Sequence, residues 1–271
     1  MQKPRISLDV VVLSKGNYAN KAKYLPLCLA AIKREVKYHR LIVVGNSLNE
    51  QTLNLIEKEG GEIYLENFNR LGKIRQYAIS LVDCPFFLFV DDDCILRHNF
   101  MEILKYLRED VGGIEGLDYV MNPKQQLFNE ALRGWAFGKN SLSKRAFTGD
   151  TLIRTSTVRD LIFPEQMTAY EDEYLKTHIE TQKYQWVKAS DRYYCNHFNW
   201  KGPVIGYYAC SCAKKWGYLT NVQSIVNFIK IFPQVIYAVM KTGYWSLASY
   251  QIKVYFYCLI GTFCPEWKTA K

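Results

Sequence analysis

Residues 86–96 read "FFLFVDDDCIL": an apolar run ending in Asp91, Asp92 and Asp93. Three like charges in a row repel unless a cation or partner offsets them. Carboxylates are hard oxygen ligands for Mg²⁺ or Mn²⁺, ions that keep several waters and bridge to a ligand's phosphates. Such an ion stabilises charge developing on a departing diphosphate. Acidic clusters also occur as solvated caps of a following helix. The buried-looking strand just before this one favours the metal.

The elements that position the triplet follow from periodicity. "ISLDVVVLS" (6–14), "RLIVVGNS" (40–47), "EIYLEN" (62–67) and "CPFFLFV" (84–90) read as strands. Residues 23–36, 50–59, 70–82 and 98–109 suit helices, with Asn49 as an N-cap and Gly60-Gly61 as a stop. Alternating strands and helices imply βαβ units and a mostly parallel α/β sheet with helices on both faces. Ligands of such sheets bind beyond the carboxyl ends of the strands, where the triplet falls. Residues 110–165 are less regular and rich in glycine, whereas 168–182 suits a helix with an acidic first turn and 185–190 a strand.

From about residue 204 the chain turns apolar and aromatic, punctuated by Lys230, Pro233 and Lys253. We therefore expect one domain over 1–203 and a helical extension over 204–271. Neither long apolar stretch there offers a clean uncharged span of transmembrane length. The helices are expected to complete a core, with interfacial attachment to a membrane as the alternative.

Composition narrows the class. The chain has 271 residues, 49% of them hydrophobic, and 35 Lys and Arg against 26 Asp and Glu, a net charge of +9. That balance suits phosphorylated ligands or anionic surfaces. No arginine-rich stripe or nucleic-acid motif accompanies it, so a nucleic-acid partner is not expected. The eight cysteines form no CxxC pair, and "MQKPRISLDVVVLS" has no secretory pattern. Reduced thiols and a cytoplasmic location, or a peripheral one on the cytoplasmic face of a membrane, are the expectation.

The order of an apolar strand, "FVDDDC" and a later "YEDEYL" (170–175) resembles the family-2 glycosyltransferases of the GT-A fold over roughly residues 5–200. "VVVLSKGN" (10–17) is similar to the family's opening strand and nucleotide-contacting loop, "IVVGNSLNEQTLNLI" (42–56) to its second strand and turn, and "ENFNRLGKIRQYAIS" (66–80) to the segment preceding the metal motif. The resemblance implies a metal-dependent, inverting transfer of one sugar from a nucleotide-diphosphate donor to an acceptor hydroxyl. Mn²⁺ or Mg²⁺ is the implied cofactor, and a glycan or lipid-linked saccharide the implied acceptor. The processive members' Gln-x-x-Arg-Trp motif is absent, which favours a single transfer.

Asp91 and Asp93 are the candidates for the metal site; the likeness makes Asp93 the direct ligand, with Asp91 or Asp92 holding the ribose or a metal-bound water, and the sequence does not order the three. Ser14, Lys15 and Asn46 face the nucleotide. Val44-Gly45-Asn46-Ser47 stands where members often carry an acid, so Asn46 would read the base through its amide. Arg75, with Lys73, is a candidate for the diphosphate. "FTGDTLIR" (147–154) resembles the acceptor-side segment, where Gly149 admits the sugar and Asp150 accepts from its hydroxyls. Asp172 is the implied base, with Glu171 or Glu173 orienting the acceptor, although acids at a helix start also serve as caps. His197 is the late histidine that in some such enzymes completes the metal site or contacts the diphosphate. Trp135, Trp186 and Trp200 are either core or sugar-stacking residues. Two other readings are a nucleotidyltransferase, for which "SKGNYANK" (14–21) is a poor phosphate loop, and a binding module that has lost catalysis.

Overall fold

The computed structural model describes residues 6–15, 24–46, 48–66, 70–137, 145–198 and 202–264. The chain divides into two compact units, the first comprising Met1–Tyr119, Lys144–Met167 and Glu171–Phe198, and the second Val120–Ser143, Thr168–Tyr170 and Asn199–Lys271.

The first unit is built on β1 (Leu8–Lys15), β2 (Leu41–Asn46), β3 (Glu62–Leu65), β4 (Phe86–Asp91), β5 (Cys94–Leu96), β6 (Val111–Val120), β7 (Asp150–Arg154) and β8 (Gln185–His197). They form one sheet in the order β3-β2-β1-β4-β7-β6-β8-β5. The β3-β2-β1-β4 half is parallel, as the alternation of elements predicts. Beyond it the sheet is mixed, because β7 pairs antiparallel with both β4 and β6, and β5 antiparallel with β8.

The parallel strands are apolar at nearly every position because both of their faces are covered. Val10, Val12, Val43, Leu88 and Val90 pack in one core with Leu25, Cys28, Leu29 and Ile32 of α1 (Leu25–Glu35). Val11, Ile42, Val44, Phe87 and Phe89 alternate with them and are equally buried. Helix α2 (Glu50–Lys58) starts where Asn49 accepts from Thr52 N at 2.9 Å, and Gly60 beyond its end takes a left-handed φ of 81°. Helix α3 (Leu71–Ser80) buries Ile74, Arg75, Ala78 and Ile79. The helix expected over 98–109 forms only as a 3₁₀ segment, Phe100–Tyr106, which begins at a left-handed Asn99 with no side-chain cap.

The second unit is helical: α4 (Pro123–Phe137), then α6 (Ile205–Lys215), α7 (Asn221–Thr242) and α8 (Trp245–Phe263), with α5 (Glu171–Thr181) belonging to the first unit. Phe128 of α4, Ile231, Val235, Ala238 and Val239 of α7 and Ala248 of α8 share one core. A capping box at Thr220 and Gln223 starts α7. By length and composition α7 is long and apolar enough to cross a membrane, with a mean hydropathy of 1.3. The clean-span criterion passed it over because Lys230 interrupts it.

Helices α6 and α8 approach at glycines. A Cβ on Gly206 would lie 2.2 Å from Val254 O, and one on Gly261 2.3 Å from Tyr207 O, both backbone atoms that cannot yield cheaply. Gly206→Ala is therefore expected to destabilise the protein by about 1–3 kcal/mol. Thermal denaturation beside Gly202→Ala, which meets nothing within 4 Å, checks this. An unchanged midpoint for Gly206→Ala would contradict the close approach.

Candidate functional site

The carboxyl ends of the parallel strands bring the expected donor residues to one edge. Register pairs Ser14 with Gly45, Lys15 with Asn46, and Leu13 with Asp91. Asn46 is half-buried there, and Lys73 is half-buried on α3. Residues 16–23, most of the expected nucleotide loop, and Trp200 lie outside the described residues, as does the side chain of Trp135.

The aspartate triplet divides into three environments. Asp91, the last residue of β4, is half-exposed, and its backbone N donates to Gly149 O at 3.0 Å. A Cβ on Gly149 would come within 3.5 Å of Asp91 Oδ2 and 3.1 Å of Cys94 Sγ, so the glycine leaves room beside that carboxylate. Asp92 is buried and accepts from Ser14 Oγ at 2.8 Å, which ties the turn to β1. Asp93 is buried with Oδ1 3.4 Å from His197 Nε2.

His197 arrives by strand pairing. The strand expected over 185–190 continues to residue 197, and β8 sets His197 opposite Cys94. Phe198 N then donates to Asp93 O at 3.1 Å. The other ring nitrogen, Nδ1, lies 3.2 Å from Asp118 Oδ2 on β6. Burial works against the imidazolium, but the surrounding Cys94, Asp118 and Asp93 hold the His197 pKa well above its ordinary value. Asp118 was not foreseen. The alternation of β6, which puts Gly116 and Asp118 on one face, is the signal that points to it.

Asp150, at the start of β7, shares that environment. It is 3% exposed, and Oδ2 has no hydrogen-bond partner among the described residues. Burial, Asp118 and Glu115 push it well above the usual carboxylate range. Only a residue without a side chain fits at Gly116, where a Cβ would lie 2.0 Å from Asp150 Oδ2.

These residues fit a divalent cation. Asp93, Cys94 and His197 can each offer an atom within 4.8 Å of the others. Against its hydrogen bond with Cys195, burial and the Asp91 and Asp93 charges raise the Cys94 thiol above its ordinary value, while Asp93 offers an oxygen and His197 an imidazole nitrogen. That set suits Mn²⁺ or Mg²⁺ better than a thiolate-seeking ion. The orphaned, buried Asp150 oxygen is a further acceptor awaiting a cation or a hydroxyl.

The second acidic cluster opens α5. Asp172 is buried, and Oδ1 accepts from Glu173 N at 2.8 Å and faces Arg145 Nη2 at 3.5 Å. Burial pushes its pKa up to about 6 against Arg145, with Glu171 adding to the rise. Glu171 Oε1 receives both Nε and Nη2 of Arg75 at 3.2 Å. Arg75, the candidate for the diphosphate, is 4% exposed and stacked 5.0 Å over Phe89, and its Nη1 has no hydrogen-bond partner among the described residues. Glu173 Oε2 accepts from Ala146 N at 2.8 Å, while Lys188 bonds Arg145 O and Glu115 Oε1, so the 145–147 segment is clamped from α5 and β8. Trp186 donates to Glu115 and fills the space beside Gly113, a structural use of its ring. Nothing in the sequence marked Arg145, because long-range packing brings it to Asp172. Just before α5, Tyr170 holds a left-handed φ of 65°, a strained conformation at the door of the acidic turn.

No family model matches the chain, and no curated protein matches it. Solved structures do. S. aureus TarS, residues 1–349 in complex with UDP-GlcNAc, superposes with a TM-score of 0.55 at 19% identity over 77% of this chain and 66% of that one. For the longer TarS chain the TM-score is 0.55 at 16% identity, and this chain spans 39% of it. Glucosyl-3-phosphoglycerate synthase of Mycobacterium tuberculosis, in complex with Mn²⁺, UDP and glucosyl-3-phosphoglycerate, gives 0.53 at 13% identity over 77% and 78%. The fold is thus the GT-A glycosyltransferase fold.

The Arg75–Glu171 pair sets a stability expectation. Arg75→Met leaves the Glu171 carboxylate buried without its cation, at a cost of about 3–5 kcal/mol. Adding Glu171→Gln removes that stranded charge and recovers much of the loss. Urea denaturation of the two variants measures both, and equal losses would show that the pair is not what holds this region.

Proposed function

We propose that the protein is a metal-dependent, inverting glycosyltransferase that moves one sugar from a nucleotide-diphosphate donor to an acceptor hydroxyl. The observation that carries this reading is the pairing of two carboxylate groups in different environments. One gathers around His197 and fits a cation, while Asp172 has its pKa lifted to about 6. Environments that separate carboxylates in this way assign different roles to them.

Asp93 and His197 would hold Mn²⁺ or Mg²⁺, with Asp118 fixing the imidazole so that Nε2 faces the ion. The cation supplies neutralisation of the charge that develops on the leaving diphosphate. Ser14, Lys15 and Asn46, at the ends of β1 and β2, would take the nucleoside, with Asp91 toward the ribose. Asp92 braces the turn through Ser14. Asp150, in the space beside Gly149 and Gly116, would accept from hydroxyls of the donor sugar.

Asp172 would take the proton from the acceptor hydroxyl as it attacks. A carboxylate lifted to about 6 is a stronger base than an ordinary one and is still ionised at pH 7. Attack from the side opposite the leaving group inverts the anomeric carbon. Arg75 acts through Glu171, fixing the first turn of α5 that carries the base. The donors named for the structural relatives, UDP-GlcNAc and UDP-glucose, support a uridine diphosphate sugar here. A glycan or lipid-linked saccharide is the acceptor class that suits an aromatic-rich C-terminal third.

Asp172→Asn should keep donor binding and lower transfer by at least a hundredfold, the lower end of what a positioned base contributes. Because the base works only when ionised, the wild-type rate should rise tenfold per pH unit below about 6 and level off above it. Nucleoside diphosphate release, followed across pH with a panel of sugar acceptors, measures both. Full activity in Asp172→Asn would move the base elsewhere, and release of pyrophosphate would assign nucleotidyl transfer instead.

A further inference from the structure

Helix α7 is apolar on two neighbouring faces. One face is buried, with Ile231, Val235, Ala238 and Val239 packed in the core shared with Phe128 and Ala248. The other is open, and Val222, Ile225, Ile229, Phe232, Ile236 and Met240 project from it. At about 100° per residue these six fall within about 120° of the helix surface. Ile229, Ile236 and Met240 are 62%, 59% and 81% exposed. Over 22 residues the stripe is about 33 Å long. A continuous apolar face of this kind marks an interaction site.

The charges around it say what it meets. Between Asp191 and Glu266 the sequence contains no acidic residue, while residues 202–264 carry Lys214, Lys215, Lys230, Lys241 and Lys253. Lys230 and Lys241 are exposed and lie on the same flank of the stripe, at the depth from which their stems can reach headgroups. Trp245, 74% exposed, follows within one turn of the helix end. We propose that this face of α7 lies in the plane of an anionic lipid bilayer, with its apolar stripe in the acyl boundary and the lysines on anionic headgroups.

Two other occupants fit the face less well. A second copy would set the lysines that flank one stripe against those that flank the other. A membrane-spanning α7 would carry Lys230, near the middle of the helix, to the bilayer centre, where a charge is costly. Lying flat, every turn of the helix sits at one depth, and the buried face keeps its protein core.

Flotation of the full chain with phosphatidylcholine vesicles, and with vesicles also containing phosphatidylglycerol, tests this. The expected result is binding to the anionic vesicles that high salt reverses. Ile229→Asp with Ile236→Asp, both at exposed positions, should weaken that binding by at least tenfold without moving the thermal midpoint. Lys230→Gln with Lys241→Gln should weaken it roughly fivefold per lysine on anionic vesicles alone. Equal binding by wild type and the isoleucine variant would overturn the proposal. So would binding that salt cannot reverse and only detergent extracts, which assigns a spanning helix. Self-association in solution that Ile236→Asp abolishes, with no vesicle binding, would assign the face to a second copy.

Discussion

The constraint on which the first unit depends is the burial of several acidic side chains. Asp92, Asp93, Asp150, Glu115, Glu171 and Asp172 are all almost inaccessible, although an unpaired carboxylate is among the costliest groups to bury. The structure offsets most of that cost locally. Ser14 donates to Asp92, Arg75 to Glu171, Lys188 and Trp186 to Glu115, and Arg145 faces Asp172. His197 stands between Asp93 and Asp118, and one Asp150 oxygen has no hydrogen-bond partner among the described residues.

The two halves of the sheet divide the labour. The parallel half supplies the edge at which β1, β2 and β4 end together, so that Ser14, Asn46 and Asp91 meet by register alone. The antiparallel half brings back residues that are distant in sequence. β7 carries Asp150 to Val90, β6 carries Asp118, and β8 carries His197 to Cys94. The cluster around Asp172 instead depends on α5, whose first turn is held by Arg75 and by the clamped 145–147 segment.

This division also explains what could be read from the sequence. The β-branched runs and helical spacings of residues 6–90 identify the parallel half and α1 to α3 because their contacts are local and their periods clean. The aspartate triplet and the Glu171-Asp172 pair stand out in the sequence as candidates because they sit at element ends. Asp118, Arg145 and the Glu115–Lys188 pair were not. Their partners lie 79, 27 and 73 residues away, and glycine-rich 110–165 hides the alternation of β6 and the start of β7. Arg75 is read as a phosphate candidate from its type, and only the structure shows its pairing with Glu171 through Nε and Nη2. The α7 stripe was visible as apolar sequence, but only the structure separates its buried face from its exposed one.

The central claim is that the cluster around His197 binds a divalent cation together with a nucleoside diphosphate. Isothermal titration of UDP into the wild-type protein, with Mn²⁺ and with chelator, measures this directly. The account predicts binding with Mn²⁺ that weakens at least tenfold in chelator, and a similar weakening when Asp93→Asn is titrated in Mn²⁺. UDP affinity that is the same with and without the metal, and unchanged in Asp93→Asn, would contradict it.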